Sequence, residues 1–542
     1  MQTNTTLTTP APRFTRATTI SQSSMLLRGL ALIITLAMLL PLAYLLLRAA
    51  DVGLERSLEL LLQPRTLLVM INSTVLALVV TVICLLISLP LAWLTVRTDL
   101  PGRSAWTVLA TLPLVFPSYV GGFALVAMMG PRGIVQSWLE PLGVERLPSI
   151  YGLPGAAWAL TLFTYPYLLL SIRAGLHSMD PALEEAARGL GLTAWRAFWR
   201  VTLPSLRPFI AAGSLLVSLY VLSDFGAVSI LRFNSFTRVI YVQYVSSFDR
   251  SLAALLSLVL VAMTVVLLFG AQAIQGRHHY HRAGVGTARK PSVVALGRWT
   301  WPALLFCTAV VIAALVLPTA VISYWLLRGL AAGESLQPVT RAAWNSVHAA
   351  TLAAAVSVVL ALPVAYLVVR YPGRFSSFVS RAIYLGYGLP GIVIALSLVF
   401  LGANYATFVY QTLAMLIFAY TVRFLPQGVG AVRGNLLQIS PRLEEAARSL
   451  GLNRRQAVWR VTLPLLSPGI WAGAALVFLS TMKELPATLL LGPTGFSTLA
   501  TQIWSATSEA FFARAAAPAL LLLAVSGLSI VFILRQEERG SP

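Results

Sequence analysis

Leu183–Pro204 reads LEEAARGLGLTAWRAFWRVTLP, and Leu443–Pro464 reads LEEAARSLGLNRRQAVWRVTLP; 16 of the 22 positions are identical. The stretch is charged and amphipathic, in a chain of 542 residues that is 58% hydrophobic and only 11% charged. A soluble globular protein carries roughly 25% charged residues. A chain so poor in charge has more apolar surface than a core can hide, so its solvent must be lipid. A polar sentence written twice in such a chain belongs outside the apolar layer, at equivalent places of a duplicated molecule.

Apolar runs near the ~20 residues that cross a bilayer occur twelve times, at about 26–49, 69–96, 105–129, 152–174, 206–231, 251–275, 299–327, 344–369, 380–402, 407–430, 466–491 and 512–534. The run at 407–430 is the weakest, because Pro426 and several polar residues interrupt it. Residues 1–25, rich in Thr, Ser and Gln, show no hydrophobic pattern and read as a disordered cytoplasmic tail. The first apolar run is too long for a signal-peptide core and has no clear cleavage site, so it reads as a spanning helix.

The formal charge is +21, with 39 Lys and Arg against 18 Asp and Glu. In a soluble chain that balance points to nucleic acid. In a membrane chain it reports topology, because cytoplasmic loops collect Lys and Arg. With the N-terminus inside, most basic residues fall on the inner side, among them Arg97, Arg173, Arg188, Arg200, Arg370, Arg423, Arg448 and Arg460. Asp51, Glu55, Glu59, Glu140, Glu145, Asp249, Glu334 and Glu509 fall outside. Both polar sentences and both termini are then cytoplasmic, and nucleic acid is not an expected partner. Cys84 and Cys307 lie in apolar runs and form no disulfide framework. The HHYH run, His278–His281, reads as solvated loop; no metal site is expected.

The duplication is wider than the sentence. Asn72, Pro90 and Arg97 match Asn345, Pro363 and Arg370 at an offset of 273, whereas the sentences are offset by 260, so the first half carries extra residues near 130–150. Six runs per half bring both halves into the membrane in one orientation, a parallel repeat about the membrane normal. The expected fold class is an all-α polytopic membrane protein of about twelve transmembrane helices in two parallel six-helix repeats. Its halves are 26–275 and 299–535, joined by a hydrophilic cytoplasmic linker at 276–298 and followed by a tail at 536–542.

Each sentence reads as helix, turn, helix. Asp180-Pro181 and Ser440-Pro441 supply an N-cap and a proline at the first helical position. Glu184 and Glu185 sit near the positive end of the helix dipole and Arg188 near the negative end. Gly191 and Gly451 end the first helix. A second, basic and aromatic helix ends at Leu203-Pro204 and Leu463-Pro464. An amphipathic loop on the lipid surface would not need so many identical residues; a partner with its own two-fold repeat would.

The residues Glu185, Ala186, Ala187, Gly191, Val201, Leu203, Pro204 and their copies Glu445, Ala446, Ala447, Gly451, Val461, Leu463, Pro464 form a pattern that resembles the EAA loop of bacterial ABC-importer permeases. The resemblance runs from about residue 26 to 535 and implies the type I (MetI-like) importer fold. It also implies that each loop, with Glu184 and Glu444 in it, is a coupling helix docked in a cleft of an ATPase subunit. Two such subunits and a periplasmic substrate-binding protein are then the partners. The chain itself has no phosphate-binding loop, since its only lysines, Lys290 and Lys483, stand outside any Gly-Lys-Ser/Thr sequence. ATP and Mg would therefore be bound by the partner ATPase, and this chain is not an enzyme.

Within that family, Ser223–Tyr244 and Met482–Trp504 look like the ferric-iron type; the glycine run at Leu491–Phe496 departs from it, lacking a basic residue after the leucines. Import of thiamine, a polyamine or a phosphonate by the same architecture is the alternative, and a gradient-driven six-plus-six secondary transporter is the rival of another class.

Asp224 aligns with Glu484 at the 260 offset, and both lie inside apolar runs. Ionisable groups there are costly and functional by default. Gly226 and Pro486 follow each acid by two residues and imply a bent or unwound helix. Lys483 replaces Ser223, which suggests a local Lys483–Glu484 charge pair. Asp224, Lys483 and Glu484 are expected to line the pathway or close a gate, against the plainer reading of polar helix–helix contacts.

Overall fold

The computed structural model describes residues 22–51, 53–131, 133–179, 181–246, 250–275 and 293–540. Most of the tail at 1–25, Asp180, the HHYH run and most of the linker at 276–298 lie outside these residues. The described residues are helical, and their only β pairing is an isolated parallel bridge between Thr98 and Val294.

The long helices of the two halves match in length. Pro64–Arg97 and Gln337–Arg370 are both helices of 34 residues, and Leu153–Ser178 and Leu413–Gln438 both have 26. In each half the first of these packs along the second, and the helix entering from the polar sentence packs against both. Each half also lends its opening helix to the other. Gln22–Ala50 packs on Gln337–Arg370, Arg374–Tyr387 and Gly391–Tyr405, while Leu317–Ala331 packs on Ser118–Met129. Trp325 Nε1 donates to Ala127 O at 3.3 Å across that second contact. The halves are therefore interlocked rather than merely adjacent.

Among the described residues, eight helices are long and apolar enough to cross a membrane, and three further pairs qualify together although bent. Two of those pairs correct the expected straight spans at 105–129 and 380–402. Arg103–Val115 meets Ser118–Leu142 at 93°, and Arg374–Gly386 meets Gly391–Tyr405 at 97°. The sequences at the corners, LPLVFPS and GYGLPG, explain the bends: proline has no N–H to continue the helix and restricts the residue before it. The run at 407–430, the weakest in the sequence, is borne out as a span. It is one continuous helix, Leu413–Gln438, capped by Thr412 Oγ1 on the Met415 N–H at 3.4 Å, and Pro426 sits inside it. A proline is tolerated within a spanning helix where neighbouring helices and side chains satisfy the freed backbone group.

Near the start of each long helix, an Asn-Ser pair ties down a short helix. Ser73 Oγ accepts from Phe236 N at 3.0 Å, and Ser346 Oγ accepts from Leu499 N at 2.8 Å. Asn72 and Asn345 donate to the carbonyls of Asn234 and Ser497, at 3.3 and 2.9 Å.

Candidate functional site

The polar sentences fold as the spacing predicts in their first part. Pro181–Gly189 and Pro441–Ser449 are helices of nine residues, and Ser440 caps the second by accepting from Arg442 N at 3.4 Å. Gly191 and Gly451 adopt φ of 91° and 90°. Their turns close with Leu192 N on Ala187 O and Leu452 N on Ala447 O, both at 3.2 Å, the hydrogen-bond pattern that ends helices on a left-handed glycine. A Cβ at either glycine would touch nothing within 4 Å, so an alanine costs only backbone strain, about 1–2 kcal/mol. Gly191→Ala and Gly451→Ala should therefore speed hydrogen exchange at the Leu192 and Leu452 amides by roughly 5–30-fold, measured by mass spectrometry.

The second helix corrects the expectation that it ends at the Leu-Pro pairs. In the first half it runs from Ala194 through one wide π turn, Phe198–Thr202, into Leu203–Ser223. In the second half the same π turn, Val458–Thr462, is followed by a 64° bend after Leu465. Proline at the start of a helical segment lacks only an N–H that a widened turn already leaves free.

What the sequence did not show is how the two adjacent glutamates divide. Glu184 is buried at 8% exposure, whereas Glu185 is exposed. Glu184 pairs with Arg97, itself 3% exposed, and accepts from Thr202 Oγ1 at 3.3 Å. In the second copy Glu444 lies 3.4 Å from Arg370 Nε and accepts from Tyr366 OH and Thr462 Oγ1, each at 2.9 Å. Arg370 also donates to Ile439 O at 3.0 Å. The first glutamate thus bolts the loop to the last turn of the long helix, and the second points outward. The signal was present in the sequence: Arg97 and Arg370 match across the repeat, but nothing in one dimension joins them to residues some eighty positions on. The exposed faces carry Glu185 and Ala186 with Leu190, 87% exposed, and Glu445 and Ala446 with Leu450, 86% exposed.

The membrane acids occupy the seam between halves. Each breaks its helix and caps the next short one. Asp224 Oδ2 accepts from Ala227 and Val228 N–H at 3.0 and 3.3 Å, and its backbone carbonyl accepts from Thr237 Oγ1. Glu484 Oε1 accepts from Ala487 N at 3.3 Å, and its carbonyl from Thr488 Oγ1 at 2.8 Å. The expected Lys483–Glu484 pair does not form. Lys483 reaches across the seam and donates to Leu114 O at 2.8 Å, because adjacent residues at a helix end point apart. The partner of Glu484 is Arg423, at 3.0 Å. Arg423 was counted with the cytoplasmic charges; it lies instead within the helix Leu413–Gln438. Gly391 makes room for it, since a Cβ there would overlap the guanidinium and stand 2.6 Å from Glu484 Oε1. Phe225 of one half and Trp504 of the other pack at 5.0 Å beside this region.

A duplicated, interlocked helix bundle with an anchored polar loop in each half and paired helix breaks at its seam is the architecture of a membrane permease built from two fused halves. Comparison with known families agrees. Residues 70–279 and 357–539 both match the model of the binding-protein-dependent transport system inner membrane component, and the chain belongs to that family. It is 35% identical over 511 residues to the Fe(3+)-transport system permease protein FbpB 2 of Haemophilus influenzae, covering 94% of this chain and 97% of that one. It is 24% identical over 428 residues to the ferric transport system permease protein FbpB of Actinobacillus pleuropneumoniae, covering 74% of this chain and 61% of that one. A sulfate transport system permease protein of Escherichia coli is 28% identical over 45% of this chain and 90% of its own length. The chain is a multi-pass ABC-type permease of the inner membrane, a transport protein and not an enzyme.

Proposed function

We propose that the chain is the translocation pathway of an ATP-driven importer of ferric iron. A periplasmic binding protein delivers the cargo to the outer face. Two copies of an ATPase subunit, which hold the ATP and Mg, sit under the loops around Glu185 and Glu445. The tails, the linker and both loops are placed on the cytoplasmic side, with the permease halves at 26–275 and 299–535. The observation that carries the cargo is the 35% identity to an Fe(3+) permease along nearly the whole chain, fused halves included. The sulfate relative aligns with less than half of the chain, which favours shared architecture over shared cargo.

The coupling assignment is supported by leucines left bare at the same place in both loops. An exposed leucine and an exposed glutamate recur at matching positions in the two loops, as two equivalent docking sites for a repeated partner would require. ATP-driven closure of the ATPase pair would draw the two loops together, and alternating access would follow as the halves rock about their seam. Asp224, Lys483 and Glu484 would then lie where the halves part.

Uptake of radiolabelled ferric iron in cells lacking the chain and in cells given it back tests the cargo, with excess thiamine as competitor. Restored, thiamine-insensitive uptake is the expected result. Thiamine-sensitive uptake, or none that depends on the chain, would return the cargo to thiamine, a polyamine or a phosphonate. Purification tests the energy source: an ATPase should accompany the chain at two copies and be lost in Glu185→Arg/Glu445→Arg. A chain that purifies alone and works on a proton or sodium gradient would favour the secondary transporter.

A further inference from the structure

The charges at the seam do not repeat, although the acids do. At the 260 offset Arg423 answers Phe163, and at the 273 offset Gly391 answers Ser118. In the first half Asp224 accepts from the Ala227 and Val228 amides and is satisfied without a cation. In the second half the missing side chain of Gly391 admits a guanidinium that pairs with Glu484.

The surroundings are those of a ligand site. The hydroxyls of Tyr119 and Thr481, 3% and 4% exposed, have no hydrogen-bond partner among the described residues. Thr481 lines a small cavity together with Glu484, Tyr420, Ser346 and Thr498. Tyr119 packs against Gly226, two residues beyond Asp224. Buried hydroxyls are normally paired, and each has lone pairs to offer a cation. Carboxylate and hydroxyl oxygens suit a hard cation. The Arg423 side chain is 21% exposed and that of Glu484 only 4%, so the guanidinium covers the carboxylate from the open side. Stability alone does not call for such a pair, because apolar residues of similar volume are often as stable as a buried ion pair.

We propose that Glu484, with the hydroxyl of Thr481 in the same cavity, forms a transit site for a multivalent cation, and that Arg423 is a tethered counter-ion occupying it between cargoes. A passing cation displaces the guanidinium, and the tether returns it when the cation leaves. The exchange keeps the buried carboxylate of Glu484 from being bare at any stage. It also keeps the site weak, as conduction requires, because each cation must displace a resident charge held at high effective concentration. The inference rests on the importer reading for the identity of the cargo and on the seam for the site.

Terbium(III), a hard trivalent ion whose luminescence is sensitised by nearby tyrosines, is the probe, used on the full chain in lipid nanodiscs. Arg423→Gln should bind terbium at least tenfold more tightly than the native chain, and Arg423→Gln/Glu484→Gln should lose that gain. Arg423→Lys, with a charge on a shorter reach, should lie between and serves if Arg423→Gln does not fold. Equal terbium binding in the native chain and the arginine variants, or a gain that survives Glu484→Gln, would overturn the proposal. Failure of ferric uptake by the native chain would overturn the cargo alone, since the terbium measurement needs neither the ATPase nor the binding protein.

Discussion

Glu184→Gln should lose most transport and release the first loop from the bundle. The substitution leaves Arg97, 3% exposed, without its counter-charge, and breaking a buried pair from one side costs about 3–5 kcal/mol. Uptake and co-purified ATPase should both fall at least tenfold, and limited proteolysis should cut the loop near Gly189–Gly191. Arg97→Glu/Glu184→Arg, which restores opposite charges, should recover part of each. The second copy should respond less. There Glu444 keeps the hydroxyls of Tyr366 and Thr462, so Glu444→Gln retains two of its partners. Equal losses in the two halves, or no loss in Glu184→Gln, would mean that the buried pair does not hold the loop.

Gly391→Ala should destabilise the seam and pull its buried ion pair apart. The added Cβ overlaps the Arg423 guanidinium and stands 2.6 Å from Glu484 Oε1. Overpacking costs about 1–3 kcal/mol, and separating the buried pair adds to it. Thermal unfolding of the purified chain should shift down, and uptake should fall sharply. Arg423→Met should relieve the clash, so Gly391→Ala/Arg423→Met should unfold at a higher temperature than Gly391→Ala. Ser118→Gly, at the matching place of the first half, should do far less, because Asp224 keeps its two backbone donors at 3.0 and 3.3 Å. A Gly391→Ala chain with native thermal stability would show that the seam has more room than the backbone implies.

Much of the site was legible before the fold was known. Identical side chains at a fixed offset located both polar loops, and the same offset paired Asp224 with Glu484. Proline and glycine beside those acids announced the helix breaks, because both residues act through the local backbone. What misled was also local. Pro426 discounted a continuous buried helix, the prolines at 113, 117 and 390 passed unread inside two apolar runs, and Lys483 was matched to its neighbour in sequence.

The sequence by itself determined that the chain lives in lipid, that it is two copies of one design, and where each copy carries its polar loop and its membrane acid. These follow from composition, periodicity and repetition, which one dimension records in full. Only the tertiary structure decided which charges meet. Arg97 with Glu184, Arg370 with Glu444, Arg423 with Glu484 and Lys483 with the Leu114 carbonyl are partners 87, 74, 61 and 369 positions apart. A charge buried in a membrane protein must find a partner, and which of the available partners it finds depends on the packing of helices that the chain visits far apart.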